Sequence, residues 1–206
     1  MKNKYISIIL PLFLILVFVI FYKGLKISNI YTPKEITLGD VPSFSSKIFD
    51  TKIEINSEKI FQDNKITSKF LQDNISFSKK NILRGLHFQL NPKAQAKLVS
   101  VINGEIFDVA VDIRKNSSTY GKWVGATLSS TNHKSLFIPE GFAHGFCVLS
   151  DEAYVMYKTS EFYSPELEKG ITWNDPSIGI SWPVNEPILS EKDLNLSLLS
   201  NVENNF

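Results

Sequence analysis

The sequence has one cysteine, three histidines and almost no net charge, and each of these shortages narrows the range of functions. The single cysteine, Cys147, excludes an intramolecular disulfide framework and is compatible with a reducing compartment. So few cysteine and histidine side chains also argue against a structural zinc site. A net charge of +1, without any Lys/Arg-rich run, offers no electrostatic basis for binding nucleic acid.

Apolar residues, by contrast, are plentiful. The 206 residues are 43% hydrophobic and 21% charged, enough for one domain with a sizeable core. No charged residue occurs from Tyr5 to Tyr22, and lysines flank this run on both sides. Its length is close to the roughly 20 residues with which a helix spans a bilayer. We therefore predict an N-terminal hydrophobic helix within residues 1–26 that anchors the chain in a membrane through residues 5–22; a signal peptide and a misassigned start codon are the alternatives.

Helical periodicity is missing between residues 80 and 185, where short β-rich runs alternate with turn residues. Asn103-Gly104 joins two of these runs and is typical of a type I′ hairpin turn. Many short strands at this spacing indicate an antiparallel sandwich or barrel. Ser190 is placed to cap a short C-terminal helix, and we expect residues 201–206 to be frayed. The predicted strands span residues 97–102, 105–113, 122–128, 135–138, 145–149 and 153–159.

Two of the three histidines could do chemistry. His87 follows a glycine-interrupted apolar run in which the backbone can bend sharply and aim a side chain. His144 lies in a turn that leads into a strand, whereas His133 has the surroundings of a solvated loop residue. A cupin-type metal site would need a His-x-His pair before the segment that contains His144, and only His87 stands there. A tight transition-metal site is therefore not expected.

Three further side chains have both a structural and a chemical interpretation. Asp175, before Pro176, suits an Asx turn, and Asp193 suits the first turn of a helix. Tyr157 lies in an alternating run and suits the interior of a barrel. Taken one at a time, the structural interpretation is the more common one for each of them.

In chain order, the sequence contains the motifs Asn81–Gln89, Ala96–Val99, Gly104–Arg114, Tyr120–Trp123, Ile138–Phe146, Tyr157–Thr159, Glu168–Pro176 and Leu189–Asp193. This series, between residues 70 and 195, resembles the dTDP-4-dehydrorhamnose 3,5-epimerase family. The resemblance implies an all-β, cupin-like jelly-roll barrel with short C-terminal helices, a homodimer, a dTDP-sugar substrate and no metal or cofactor. It also implies a cytoplasmic catalytic domain, which an anchor would hold at the inner membrane.

The reaction that the resemblance implies inverts C3 and C5 of a 4-keto-6-deoxy sugar nucleotide, converting dTDP-4-dehydro-6-deoxyglucose to dTDP-4-dehydrorhamnose. The C4 ketone acidifies the protons on C3 and C5, and inversion needs a base on one face of the sugar and a proton donor on the other. By the resemblance, His87 is the base and Asp193 its carboxylate partner, with Asp175 as the fallback. Tyr157 is the proton donor, a role that suits a phenol when nearby cations lower its pKa, and Lys97 stabilises the oxyanion.

The same resemblance assigns the substrate-binding residues. Arg84 and His144 match residues at the sugar diphosphate, where arginine makes forked contacts to phosphate oxygens. The other matching positions are Gln72 and Asn74 on the nucleotide side and Glu168 and Lys192 as further contacts.

One family segment, of the form Asp-x-Arg-Gly-x-Phe-x-Glu, is not found upstream of Gln72. Glu54 could take the place of its glutamate, but residues 49–53 supply neither the arginine nor the glycine. This departure predicts weaker binding or altered nucleotide preference. It keeps two alternatives open: an epimerase acting at a single centre in another deoxysugar pathway, and a membrane-tethered sugar-nucleotide binding protein that has lost turnover. The expected organisation is a polar segment over 27–69, the epimerase-like domain over 70–195 and a tail over 196–206.

Overall fold

The computed structural model describes residues 18–21 and 57–206. Residues 18–21 and 68–206 belong to one compact unit, and residues 57–67 belong to a second. In the second unit, Ser57–Asp63 form helix α1, and Lys59 pairs with Asp63 one turn later at 3.1 Å.

The first unit is built almost entirely of antiparallel strands, as the alternating sequence pattern predicts. Within residues 18–21 and 68–206, the one helix is α2, which spans Glu191–Leu194. Ser190 caps it by accepting a hydrogen bond from the Asp193 backbone, which confirms the predicted cap. The strands are β1 Phe18–Phe21, β2 Gln72–Lys79, β3 Leu83–Gln89, β4 Lys97–Asn103, β5 Glu105–Asp112, β6 Trp123–Ser129, β7 Lys134–Ile138, β8 Phe142–Val148, β9 Glu152–Thr159 and β10 Glu168–Gly170.

These strands form two five-stranded sheets, in the orders β1-β7-β4-β9-β2 and β10-β3-β8-β5-β6. One apolar core joins them, because Val99 and Val155 of the first sheet pack with Ile106 and Val148 of the second. The two sheets therefore face each other, and the all-β, cupin-like architecture expected from the sequence is confirmed.

A second apolar cluster covers the outer face of the second sheet. Val109 and Val111, which alternate with the inward-facing residues of β5, pack there against Ile171 and Leu199 from the C-terminal segment. Strand β5 is thus buried on both faces. The prediction of a frayed C-terminus is wrong, because Phe206 packs against this cluster and the Asn204 amide donates a hydrogen bond of 2.5 Å to the Ile113 carbonyl.

The predicted Asn103-Gly104 hairpin is also wrong. Strands β4 and β5 follow each other at Gly104, yet they belong to different sheets and pair with different neighbours. Gly104 has a φ of +85°, but Asn103 does not have the positive φ that a type I′ turn requires of its first central residue. The glycine instead carries the chain from one sheet to the other, because Asn103 stays paired with Tyr154 in β9.

The predicted N-terminal helix lies mostly outside the described residues. Its four described residues, Phe18–Phe21, form strand β1 paired with β7, so the helix prediction is wrong for these four. Phenylalanine, valine and isoleucine favour extended backbone, and β7 offers an edge on which such a strand can pair. In residues 18–21 and 57–206, no helix combines the length and the apolar character needed to cross a membrane.

Candidate active site

A cavity of about 400 Å³ opens between the two sheets and receives side chains from both, together with α2. Every predicted site residue lines it except Glu54, which lies outside the described residues. These residues are Gln72, Asn74, Arg84, His87, Lys97, His144, Tyr157, Glu168, Lys192 and Asp193. Several further residues line the cavity that the sequence did not assign to the site, namely Ser76, Phe88, Gln89, Gln95, Phe146, Thr159, Tyr163 and Ser190, the last predicted only as a helix cap.

His87, on β3 of the second sheet, and Asp193, on helix α2, form a close pair at the cavity wall. The ring Nε2 of His87 lies 2.7 Å from Oδ1 of Asp193, although the two residues are far apart in sequence. Gly85, with a φ of +107°, makes the irregularity in β3 that turns His87 toward the cavity. A side chain at that position would run into the carbonyl oxygen of His144, so a glycine is required.

Asp193 is held as an ionised acceptor. Its Oδ2 accepts a hydrogen bond of 2.7 Å from the Ser190 hydroxyl, which also caps α2. Burial opposes ionisation, but the hydrogen bonds from His87, Ser190 and the Gly85 backbone outweigh it and hold the pKa of Asp193 below its usual range. A carboxylate at Nε2 favours the tautomer with the proton on Nε2, which leaves Nδ1 of His87 as the basic nitrogen.

Nδ1 of His87 is directed toward a second carboxylate. It lies 3.5 Å from Oε1 of Glu168, and among the described residues nothing forms a hydrogen bond to it. The other oxygen of Glu168 accepts hydrogen bonds of 2.5 Å from both Lys192 and Tyr163. Burial works against ionisation of Glu168, yet these two bonds lower its pKa, whereas the bond to Glu168 raises the pKa of Tyr163 to about 12.

The first sheet contributes Tyr157 on β9 and Lys97 on β4 to the same cavity. Burial raises the pKa of Tyr157 and outweighs the opposing charge of Arg84, so the nearby cation does not lower this pKa overall and the phenol stays protonated. Lys97 is only 8% exposed. Its burial lowers the pKa to about 8, against the opposing charges of Glu168 and Asp108.

A second histidine–carboxylate pair lies beside the first. His144 on β8 faces His87 across the β3–β8 ladder, and its Nε2 lies 2.7 Å from Oδ1 of the fully buried Asp108. The sequence analysis missed Asp108. The available signal was its spacing of two residues from Ile106 and Ala110, because residues at this spacing share one face of a strand and these two face the core between the sheets.

Polar side chains continue the cavity wall toward the edge strand β2. Arg84 donates from Nε to the Ser78 hydroxyl at 3.0 Å. The side-chain NH2 of Gln72 donates a hydrogen bond to Oδ1 of Asn74 at 2.7 Å. The side-chain oxygen of Gln72, Oε1, accepts one from the Tyr163 backbone N–H at 3.2 Å. Gln72, Asn74 and Arg84 thus line the same cavity.

The remaining candidates lie away from the cavity. Asp175 forms the predicted Asx turn, accepting hydrogen bonds from the backbone and hydroxyl of Ser177, and it also accepts one from the Leu199 backbone. It cannot serve as the partner of His87. His133 is exposed, and burial raises the pKa of Cys147 to about 11, which keeps this thiol protonated at neutral pH.

The two facing sheets and their cavity define a cupin-like barrel enzyme whose site is equipped for acid–base chemistry. An imidazole reaches the cavity from one sheet and is backed by a carboxylate from helix α2, whereas a protonated phenol and a buried amine reach the cavity from the other sheet. Base and acid on opposite walls suit a reaction that removes a proton from one face of a ligand and returns one to the other.

The chain belongs to the dTDP-4-dehydrorhamnose 3,5-epimerase family, whose model matches residues 47–201. The dTDP-4-dehydrorhamnose 3,5-epimerase of Shigella flexneri is 55% identical over 163 residues, which are 76% of this chain and 89% of that protein. The enzyme of the same name from Methanothermobacter thermautotrophicus is 58% identical over 146 residues, 69% of this chain and 78% of that protein.

The similarity extends to solved structures. The crystal structure of dTDP-6-deoxy-D-glucose-3,5-epimerase from Legionella pneumophila Philadelphia 1, in complex with dTDP-4-keto-L-rhamnose, gives a TM-score of 0.68 at 47% sequence identity. The match covers 72% of this chain and 79% of that one.

Proposed function

We propose that this chain epimerises C3 and C5 of a dTDP-4-keto-6-deoxy sugar, with His87 as the base that removes a proton from the sugar and Tyr157 as the acid that returns one. The observation that carries the proposal is the entry of these two side chains into one cavity from opposite sheets, with His87 backed by Asp193 at 2.7 Å. The Legionella relative, solved with dTDP-4-keto-L-rhamnose, supports the choice of substrate.

The proposed mechanism begins with abstraction of the proton beside the C4 ketone. Nδ1 of His87 takes this proton, and the Asp193 carboxylate stabilises the imidazolium that forms. The electron pair moves into the C4 carbonyl and makes an enolate, whose oxygen is stabilised by the ammonium group of Lys97. The phenol of Tyr157 then donates a proton to the opposite face of the carbon, which inverts the centre and leaves His87 protonated and Tyr157 as a phenolate. His87 releases its proton to water and Tyr157 takes one up from water, and the cycle then repeats at the second carbon.

The proposed binding mode places the diphosphate near Arg84 and His144. The guanidinium group supplies forked donors for phosphate oxygens, and Gln72 and Asn74 offer amide contacts on the nucleotide side. Glu168 and Lys192, joined by a hydrogen bond at the cavity wall, would contact the sugar. A cavity of about 400 Å³ takes a hexose with part of its diphosphate and leaves the nucleoside at the opening.

The test is deuterium entry into a dTDP-4-keto-6-deoxyglucose substrate in heavy water, followed by proton NMR with the full-length chain. We expect label at both C3 and C5 with the native chain, and none with His87→Asn. His133→Asn is the matched control, because His133 is exposed and outside the cavity. Tyr157→Phe should abolish inversion, whereas Tyr154→Phe, on the outward side of the same strand, should not.

Other outcomes separate the alternatives. Label at one carbon alone would favour a single-centre epimerase. No label with the native chain, together with retained binding of dTDP, would favour a sugar-nucleotide binding protein that has lost turnover, and would refute the proposed reaction. Binding of dTDP is best followed by calorimetry, since this measurement does not depend on chemistry.

The proposed assembly is a homodimer. The outer face of the first sheet exposes Ile75, Phe77 and Tyr154, of which Ile75 is 65% exposed, and the rings of Phe77 and Tyr154 lie 5.0 Å apart. An apolar patch of this kind supports contact with a second copy of the chain. Light scattering should give twice the chain mass, and Ile75→Glu should lower it; a native chain that stays monomeric would refute the dimer.

The proposed location is the cytoplasm, because nucleotide sugars are made and used there. A membrane anchor over residues 5–22, predicted from the sequence, is the alternative, and strand β1 at Phe18–Phe21 argues against it. An anchored domain would have to face the cytoplasm to reach its substrate. Membrane fractionation of the full chain tests this anchor. Recovery in the soluble fraction alone would end the anchor hypothesis and leave the proposed reaction untouched.

A further inference from the structure

Gln89 places a buried amide in the wall of the cavity. It lies on β3, two residues after His87, and its side chain lines the same cavity. The residue is only 2% exposed. A primary amide in such a place is stable only when its N–H donors and its oxygen have hydrogen-bond partners.

The partners of Gln89 are backbone groups of two other segments. Nε2 donates a hydrogen bond of 2.7 Å to the Lys93 carbonyl and one of 3.2 Å to the Phe162 carbonyl. Oε1 accepts a hydrogen bond of 2.8 Å from the Ser164 backbone N–H. One side chain therefore holds the residues on both sides of Tyr163, in the loop of residues 160–167 that joins β9 to β10.

Tyr163 connects this loop to two other parts of the site. Its hydroxyl donates to Oε2 of Glu168 at 2.5 Å, and its backbone N–H donates to Oε1 of Gln72 at 3.2 Å. Tyr163 is 52% exposed although it lines the cavity, so it lies at the opening. The opening is where the proposed binding mode leaves the nucleoside.

We propose that Gln89 is a positioning residue that fixes Tyr163 at the opening of the cavity and thereby sets the affinity for the nucleotide part of the substrate. The inference rests on the proposed function, which makes a dTDP-sugar the ligand. The three bonds of the amide hold the loop in place before the ligand arrives. Without them the loop would have to be ordered during binding, which weakens affinity.

Other bonds hold the start of the same loop and remain when Gln89 is replaced. Nε2 of Gln95 donates to the Glu161 carbonyl at 2.8 Å, and the Ser160 hydroxyl accepts from the Ala96 backbone N–H at 2.8 Å. The bonds of Gln89, in contrast, lie on either side of Tyr163. Its replacement should therefore loosen the loop around Tyr163 and leave the barrel folded.

The experiment compares Gln89→Met with the matched control Asn204→Leu in the full-length chain. Each variant replaces a buried amide by an apolar side chain of similar size. Asn204 is 8% exposed and also joins two backbone groups, donating to the Ile113 carbonyl at 2.5 Å and accepting from the Phe206 N–H at 3.0 Å. It does not line the cavity, so it reports the loss of a buried amide as such.

Two measurements follow each variant: calorimetry with dTDP, and the dependence of C3 and C5 proton exchange on substrate concentration. With Gln89→Met we expect the Kd for dTDP and the KM to rise about tenfold, and the rate at saturation to stay within about threefold of the native rate. The rate is retained because His87 still pairs with Asp193. Asn204→Leu should lower the melting temperature and leave the Kd unchanged.

A double-mutant cycle tests whether Gln89 acts through Tyr163. Tyr163→Ala removes the side chain that Gln89 is proposed to position. Adding Gln89→Met to Tyr163→Ala should then raise the Kd for dTDP no further. A second rise of about tenfold in the double variant would overturn the positioning role, because the two residues would act independently.

Two other results would overturn the proposal: a folded Gln89→Met variant with a Kd within about twofold of the native value, or an equal rise of the Kd in Asn204→Leu. If Gln89→Met does not fold by near-UV circular dichroism, Gln89→Glu keeps the acceptor for Ser164, loses both donors and should show the same rise.

The failure of the proposed function would look different. A native chain that binds dTDP but exchanges no proton would refute the proposed reaction, and the comparison of Kd values would still decide the role of Gln89, because it requires no turnover. A native chain that does not bind dTDP would overturn the inference about Gln89 as well.

Discussion

Replacing Asp193 by asparagine removes one charge and almost no volume from the candidate site. The native carboxylate lies 2.7 Å from Nε2 of His87 and accepts a second bond from Ser190. An asparagine that keeps its carbonyl toward Nε2 preserves the hydrogen bond but not the charge that stabilises the imidazolium. An asparagine that turns its amide toward Nε2 forces the ring proton onto Nδ1, the nitrogen that must accept the substrate proton.

The magnitude follows from the kind of hydrogen bond that is lost. A bond to a charged group contributes about 1.5–3 kcal/mol, compared with about 1 kcal/mol for a neutral one. Loss of the whole charged interaction in the transition state would slow the reaction about 10- to 150-fold, and the wrong tautomer would add to this. We therefore expect the rate of proton exchange at C3 and C5 to fall about 100-fold, with dTDP affinity unchanged.

The assay is single-turnover deuterium exchange followed by NMR, with dTDP binding measured by calorimetry. Asp175→Asn is the control, because Asp175 is also a buried aspartate but serves the turn that bonds Ser177 and Leu199. Exchange within threefold of the native rate in Asp193→Asn would refute the reasoning. A loss in Asp175→Asn as large as in Asp193→Asn would refute it too, since the effect would then come from a buried aspartate as such.

Three further predictions concern stability. Asp112 has a pKa of about 2, below the ordinary value of 3.8, because hydrogen bonds from Arg114 and its neighbours outweigh burial. Asp112→Asn should therefore lower the free energy of unfolding, measured with urea at pH 7, by about 2 kcal/mol. This difference from the native chain should shrink as pH falls from about 4 to 2, and a difference independent of pH would contradict the prediction. Gly85→Ala would place a methyl group 2.5 Å from the His144 carbonyl oxygen, so it should lower the free energy of unfolding by more than about 2 kcal/mol. A melting temperature equal to that of the native chain would contradict the backbone geometry at Gly85. Ser190→Ala should lower the free energy of unfolding by about 1 kcal/mol, because Ser190 caps α2. It should also slow proton exchange at C3 and C5 of the substrate, because Ser190 holds Asp193 in place; an unchanged exchange rate would show that the cap does not contribute to catalysis.

Much of the local structure could be read directly from the sequence. Alternating apolar residues predicted β5 and β9, and Ser190 predicted the start of α2, because side-chain direction and capping depend on residues only a few positions apart. Gly85 likewise indicated a bend before His87, since only glycine tolerates the positive φ and close approach found there.

The partners of the site residues could not be predicted in the same way. From the sequence, Asp193 was the expected partner of His87 and Asp175 the fallback. Only the path of the chain after β10 places Oδ1 of Asp193 2.7 Å from Nε2 of His87. Asp108 was overlooked because nothing near it in sequence distinguishes a core position from a site position. Tyr163 was overlooked because its role depends on a hydrogen bond to Glu168 that spans a loop.

The sequence by itself determined the strand-rich architecture, the family and the identities of the titratable residues, since these depend on residue type, spacing and order. The tertiary structure decided which strands pair, which sheet each residue belongs to and which charges meet. Asn103-Gly104 shows the difference, because its residues favour a hairpin and yet β4 pairs with β7 and β9 instead. Pairing is settled by long-range packing of two sheet faces over one core, and no local preference contains that information.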